Sequence, residues 1–501
     1  MRVLSFTLLL SLILTLPLFA SNSVSGTWTT DDSPVVIEED SYVPVGDQLT
    51  IEAGVLVWFM EGARLEVYGQ ITVVGEPKNP VVFTGYEDGT IWDGLFIYGT
   101  DEGLPNTFTY AHILNCVYGL SVDAGIAHLN QVTVKAEYYG MLMMHNAYVR
   151  VTDSIMNVTT TNPDAITVYA LESQLDALRS TFELNIQQTT SNPPTAAIKL
   201  RLAQETTIDS CHVRATSRSG AHGINLLACY DNVDIRHSSI HVIHNGGLAE
   251  QSCAAIFAND SDLFNLDHMS IHLEADAGSI YGIYAKFSSR IELVNSIISA
   301  TNVVSGTQRY ASYIDPNGFH GSVNFAYSLV NQVTLHNNTE FFTYDEFSML
   351  IDEDPLWVDA DLEDYHLQPE SPCIDTGSPA SEPDPDDTTT DMGRHYYYVI
   401  SDVTEPSVPV VREFTLGSVY PNPFNAATRF SVDLPNATRL DVRVQNVLGQ
   451  TVATLADGQY RAGHHEFTWQ TARDGNLASG IYLLHVRANG SVQSQRLVLL
   501  K

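Results

Sequence analysis

From residue 119 onward the hydrophobic positions repeat a short figure: a small residue, an aliphatic one, then strict alternation. It reads Gly119-Leu120-Ser121-Val122, Gly140-Met141-Leu142-Met143, Ala165-Ile166-Thr167-Val168, Ala197-Ile198-Lys199-Leu200, Gly223-Ile224-Asn225-Leu226, Ala255-Ile256-Phe257-Ala258 and Gly282-Ile283-Tyr284-Ala285. Successive copies begin 21 to 32 residues apart. A second column keeps nearly the same period: Val132-Thr133-Val134, Met156-Asn157-Val158, Phe182-Glu183-Leu184, Cys211-His212-Val213, Ile240-His241-Val242, Ile271-His272-Leu273 and Ile297-Ile298-Ser299. Short alternating runs ended by turn residues predict strands, not helices.

One such coil cannot bury its inward side chains alone, so the coils must stack, about 4.8 Å apart, with like residues in register. Leu120, Met141, Ile166, Ile198, Ile224, Ile256 and Ile283 are then one aliphatic stack. A period of 21 to 32 residues suits three strands and three turns, a parallel β-helix. A leucine-rich horseshoe shares the period, but no LxxLxL run is kept.

In the second column the middle residue lies between two inward aliphatics and is expected to face solvent. That places Glu183, His212, His241 and His272 on successive coils, with His237 and His268 at the adjoining turn. Such a row suits ligand binding, a transition metal or acid–base work on a glycan; a solvated polar ladder is the plainer alternative. Cys211, aligned with Phe182, is expected inside as a buried thiol.

The pattern changes after residue 375. Residues 376–411 are rich in Pro, Asp and Thr and read as a linker. Within them Asp384, Asp386, Asp387 and Asp391 are candidate oxygen ligands for calcium, weighed against a plain acidic linker. From 412 to 501, the runs Thr428–Leu434, Arg439–Val447, Gly463–Gln470, Gly480–Val486 and Gln493–Leu500 predict a β-sandwich. The fold class is therefore all-β: a β-helix over 21–375, then a linker, then a sandwich over 412–501.

Composition narrows the partners. The 501 residues carry a formal net charge of −35, with the sandwich slightly positive, so nucleic acid and anionic lipid are poor partners. Residues 1–20 have one early Arg, an apolar run and small residues at Ala20 and Ser21, the pattern of a secretory signal peptide. No later segment is apolar enough to span a membrane, so export is expected, to the outer cell surface or beyond. Five unclustered cysteines make neither a disulfide framework nor a zinc pattern.

Two resemblances agree with this reading. VPVGDQLTIEAGV and LEVYGQITVVGEPKNPVVFT, within residues 26–83, and DPLWVDADLEDYHLQPESPCIDTGSP, from residue 354, resemble secreted bacterial proteins of the pectate-lyase-like superfamily. That resemblance implies a right-handed helix. The motif Tyr420-Pro421-Asn422-Pro423-Phe424-Asn425, followed by VQNVLGQTVATL, AGHHEFTW and SGIYLLHV, resembles the type IX secretion sorting domain and the immunoglobulin-like module of flagellar hook-capping proteins. It implies the type IX machinery as a partner. Ala221-His222-Gly223 is similar to the Gly-His-Gly of polygalacturonases, but Lys199-Leu200-Arg201-Leu202 stands where paired aspartates are needed. The expected function is glycan or protein binding through the solenoid face. The alternative is a polysaccharide lyase or glycoside hydrolase, favoured by any cleft with convergent carboxylates and a basic residue.

Overall fold

The computed structural model describes residues 22–397, apart from 88, 100–102, 188–194, 219, 246–251, 262–263, 277, 288, 302–307, 317–320, 338–339 and 345–347. It also describes 415–499, apart from 418, 420–421, 423, 426, 435–437, 447–450, 461–462, 472–479 and 489–490. The expected signal peptide lies outside the described residues. The chain divides into two units, Met1–Val399 and Ile400–Lys501.

The first unit is a parallel β-helix. A representative coil runs through Ile166–Leu171, Gln174–Leu178 and Thr181–Ile186 before returning at Thr195–Arg201. Each strand pairs in parallel with its counterpart one coil later: Val168 with Ile198, Ala177 with Ile208, Phe182 with Val213. The second face forms a 13-stranded sheet. The first and third belong to one 24-stranded sheet, because Ala111–Asp123 and Thr133–Met144 run through both faces without a break. No α-helix occurs among the described residues.

The aliphatic stack is Leu120–Met141–Val168–Ile198–Ile224–Ile256–Ile283, every member fully buried. Val168 takes the place expected of Ile166, which pairs with Tyr139 two positions earlier. Ile166 is buried beside Tyr139 but outside the inward core, and because the two β-branched residues share one phase of the alternation, alternation alone did not separate them. The small residue ahead of the step has a reason in Gly223 and Gly282. A Cβ on Gly223 would lie 2.7 Å from the Ala255 carbonyl oxygen, and one on Gly282 2.7 Å from that of Ala311.

Two corners turn on a single residue with positive φ. Arg179, Ser210, His237 and His268 form one such row (φ 46–55°), each donating its N–H to the next coil at 3.0–3.2 Å. The following position is inward and often serine. The Ser238, Ser296 and Ser328 hydroxyls accept the N–H groups of Cys211, Met269 and Ser296 of the preceding coil. Without them those buried donors would be unpaired, a cost of about 1–3 kcal/mol each. Cys211 is buried as expected, but at this corner; Phe182 pairs with Val213 instead.

The stretch expected as a linker from residue 376 is not free. Through Tyr397 it packs back on the third face and its corner: Ser378 N donates to Asn295 Oδ1 (2.7 Å), His268 Nε2 meets Thr390 Oγ1 (2.8 Å), and Arg394 N donates to Ser270 Oγ (3.0 Å). Met392 joins Trp357, Tyr365 and Cys373 in a small apolar cluster. Burial of these apolar groups outweighs the solvation that so acidic a segment would have kept.

The second unit is an antiparallel sandwich. Thr415–Leu416, Ala427–Leu434 and Gly463–Gln470 form one sheet; Thr451–Tyr460, Thr438–Asn446, Gly480–Ala488 and Ser491–Leu499 form the other. The strand Thr451–Tyr460 was not among the expected runs.

Candidate functional site

Register decides which outward side chains meet. On the third face the ladder is Glu183–Arg214–His241–His272, one residue per coil. His212 sits two positions earlier, beside Thr181 and Ser239. The expected row is therefore corrected at one rung: Arg214 replaces His212. Glu183 lies at the open end, where Asn157 Nδ2 donates to it at 2.6 Å.

The expectation that this row faces solvent is overturned at two rungs, His241 and His272, while Glu183 and His212 stay partly exposed. His241 is 1% exposed and His272 fully buried. A hairpin of Trp357–Asp359 and Asp364–Leu367 lies over them, with Trp357 and Tyr365 edge-on to His272 at 5.8 and 6.1 Å. At its turn Glu363 reaches down: Oε1 accepts from His241 Nδ1 (2.7 Å) and lies 3.3 Å from an Arg214 guanidinium nitrogen, while Oε2 is 3.0 Å from His212 Nε2. Glu274 takes the other edge of His241, Nε2 to Oε1, at 2.8 Å.

The electrostatics follow from that geometry. Burial opposes charge on Glu363, yet His212, His241 and Arg214 hold its carboxyl well below the usual range. Burial likewise opposes the His241 imidazolium, but its hydrogen bonds to Glu274 and Glu363 outweigh this and raise it. His272, stacked on His241 at 4.4 Å, is pushed down to about 4 by burial and then by its charged neighbour. The two carboxylates thus favour the charged form of His241, whereas burial favours the neutral form of His272. Glu363 and Glu274 were missed by sequence reasoning; Glu363 lies 122 residues from His241, with no local signal linking them.

At the corner below, His237 and His268 stack at 4.9 Å and line a cleft of about 750 Å³ closed by residues 381–396. Asp209, Asp267, Arg236 and Arg394 also line it. These charges are already engaged. Burial alone would raise Asp209, but hydrogen bonds from His237, Arg236 and Ser210 bring it down to about 2. Asp267 meets His268 at 2.9 Å and accepts from Asn295 Nδ2. Arg394 donates to Ser239 Oγ and the Ser210 carbonyl.

The four candidate calcium ligands divide. Asp384 accepts from Asp391 N (2.9 Å) and Thr390 Oγ1 (3.2 Å); Asp391 accepts from Asp375 N and Tyr397 N and is pushed up to about 6, first by burial. Asp386 binds the Thr388 hydroxyl, and Asp387 is exposed at the turn. Asp384 and Asp391 therefore act as loop staples through backbone donors.

A third feature lies on the first face and was not singled out from the sequence. An outward column runs Tyr169–Lys199–Asn225–Phe257–Tyr284–Tyr313. Beside it Tyr118, Tyr138 and Tyr139 cluster at one end (4.3–5.9 Å), and Tyr281 and Tyr310 at the other. Between them the Lys199 ammonium lies 5.6 Å from the Tyr169 ring. His222 stacks on Phe257 at 4.7 Å; burial pushes it down to about 3, and its Nδ1 accepts from Ala254 N. It is a buried histidine held by the backbone of the next coil beneath this face, in keeping with the missing aspartates around Lys199.

In the sandwich, the described residues of the Tyr420–Asn425 motif are Asn422, Phe424 and Asn425. Asn422 pairs through its amide with Arg496 O and Val498 N, and Phe424 is buried beside Trp469. Asn425 is exposed. Tyr420, Pro421 and Pro423 lie outside the described residues.

Residues 419–491 match the FlgD Ig-like domain. No curated protein matches the chain. Among solved structures it is similar to the pectate lyase Pel9A, at 12% identity and a TM-score of 0.34, over 69% of this chain and 89% of that one. It is also similar to endopolygalacturonase I from Stereum purpureum, at 12% identity and a TM-score of 0.21, over 66% of this chain and 98% of that one. At these values neither likeness carries over an activity.

Glu363→Ala leaves two imidazoles and a guanidinium without their shared partner. We expect a loss of roughly 2–4 kcal/mol in urea unfolding, with amide exchange accelerated across 357–367. The exposed neighbour change Asp361→Ala is expected to stay within about 0.5 kcal/mol; equal effects from both would refute the clamp.

Proposed function

We propose that this chain is an exported protein that binds a neutral polysaccharide along the first face of its β-helix. The observation that carries this reading is the strip of aromatic side chains along this face, from Tyr118 and Tyr139 through Tyr169 to Phe257, Tyr284 and Tyr313, with Lys199 and Asn225 in its middle. Coils stack about 4.8 Å apart, so seven steps give a run of about 34 Å, enough for several sugar rings. Half-buried tyrosines offer flat apolar faces to the C–H faces of a sugar and hydroxyls to its rim. Lys199, Asn225 and Asp315 supply polar contacts between them; Asp315 already accepts from Tyr284 OH at 3.4 Å.

Charge selects the class of glycan. With a net charge of −35 on the whole chain, a polyanion would be repelled at physiological salt, which favours a neutral chain. On the third face the rungs of His241 and His272 are covered by the hairpin.

A second reading, a polysaccharide lyase or hydrolase, is favoured by the cleft that brings Asp209, Asp267, Arg236 and Arg394 together. We rank it second because those groups are already engaged by neighbouring side chains or by the backbone, which argues against a poised acid–base pair.

Export rests on two supports: the apolar run of residues 1–20, and the resemblance of the last ninety residues to a sorting domain. In this reading the sandwich engages the type IX secretion machinery and the β-helix is delivered to the cell surface or released.

Two experiments test the proposal. In affinity electrophoresis against neutral and acidic polysaccharides, a neutral polymer should retard the wild type, and Tyr169→Ala or Tyr284→Ala should each weaken retention about five- to tenfold. Retention by acidic polymers alone, or insensitivity to both changes, refutes the aromatic face; new chain ends would promote the second reading. Deleting 412–501 in a host with type IX secretion should leave the β-helix in the periplasm, and unimpaired export of the deletion would remove the sorting role.

A further inference from the structure

The outward face of two adjacent strands, Ser239–His244 and Ser270–Ala275, gathers three metal-ligating groups that binding along the aromatic face leaves unused. His241, His272 and Glu274 each present one ligand atom, all within 4.8 Å of one another. They come from neighbouring rungs: His241 pairs with His272, and Ile243 with Glu274. Thr301, paired with Glu274 on the following strand, places its hydroxyl 2.6 Å from His272 Nε2.

The surroundings resemble those of a metal ligand more than those of an ordinary buried histidine. His241 Nδ1 bonds a carboxylate, Glu363 Oε1 at 2.7 Å, which fixes the ring and directs Nε2 at Glu274. A carboxylate behind a ligating imidazole both orients it and raises its basicity. Trp357 and Tyr365 close the back of the site against His272. Glu274 and Thr301 are partly exposed, so the open side for entry is theirs.

The geometry points to a zinc-class divalent ion held by His241 Nε2, His272 Nε2 and a Glu274 carboxylate oxygen, with Thr301 Oγ1 or water in the fourth place. Two nitrogens and an oxygen suit a borderline ion that accepts tetrahedral geometry, with bonds of about 2.0–2.2 Å. The two rings lie 13° from parallel, so binding requires His272 to swing from the Thr301 hydroxyl toward Glu274. On binding, the proton between His241 Nε2 and Glu274 leaves to solvent as the metal–nitrogen bond forms. Glu363 stays behind His241, so the ion would tie the closing hairpin to two coils at once.

The test is calorimetric titration of the metal-free full chain with Zn²⁺, and of Co²⁺ followed by its visible ligand-field bands. We expect one ion per chain and tetrahedral cobalt bands. Glu274→Gln and His272→Gln should each weaken binding at least tenfold, and zinc should slow amide exchange across 357–367. His237→Ala and His268→Ala, at the neighbouring corner, should leave the titration unchanged. Because His272 is buried, Glu274→Gln decides alone if the other variant fails to fold. Identical curves for Glu274→Gln and wild type, or loss of binding in the corner variants instead, would overturn the site. Neither outcome touches the aromatic face, which lies on different strands.

Discussion

In-register stacking of the coils is the constraint on which everything else rests. No coil of this chain has enough side-chain volume to make a core alone, so each inward residue needs its counterparts above and below as well as the facing strands of its own coil. Val168, Ile198 and Ile224 are fully buried within such a stack. The same register continues through the corners, where left-handed residues keep their N–H groups in the ladder and inward serines satisfy the donors the bend exposes. A slip of two residues in any strand would preserve inside and outside but misalign the corners, and there the serine hydroxyls act as a check.

Register also dictates what the outer surface can be. Like residues are brought to 4.8 Å whether or not they attract, so a ladder can concentrate charge at a cost that must be met elsewhere. Arg214 and His241 form such a concentration, and the chain answers it with a carboxylate from a hairpin more than a hundred residues later. Glu363 is thereby both the partner of the ladder and the anchor of the segment covering it. The first face took the other course: most of its outward rungs are aromatic, need no counter-charge and stay partly exposed.

Much of this was legible in the residues. The two periodic columns foretold the coil, the inward stack and the corner positions of His237 and His268, because burial imposes alternation locally. What stayed hidden came from distance. Whether Val168 or Ile166, and whether Arg214 or His212, occupies a rung depends on where the preceding corner places the chain, and alternation reads the same two residues either way. The covering of His241 and His272 depends on Trp357, Glu363 and Tyr365, whose part only the folded chain shows. The acidic run after residue 376 looked like a solvated linker because its composition hides the few residues, Thr390, Met392 and Arg394, that dock it. The tyrosines of the first face were visible one by one, but they became a column only once the rungs were aligned.

The stack itself can be measured. Thr207 and Asn324 are outward residues of the second face, four rungs apart through Asp234, Asn265 and Glu292. All five native cysteines are buried, so labels on Thr207→Cys and Asn324→Cys report this pair alone. Pulsed electron–electron resonance should give a narrow distance distribution centred near four strand spacings, about 19 Å between backbones plus the reach of the labels. A broad distribution, or one centred far beyond that spacing, would contradict the stacked coil and with it both the aromatic face and the clamped ladder.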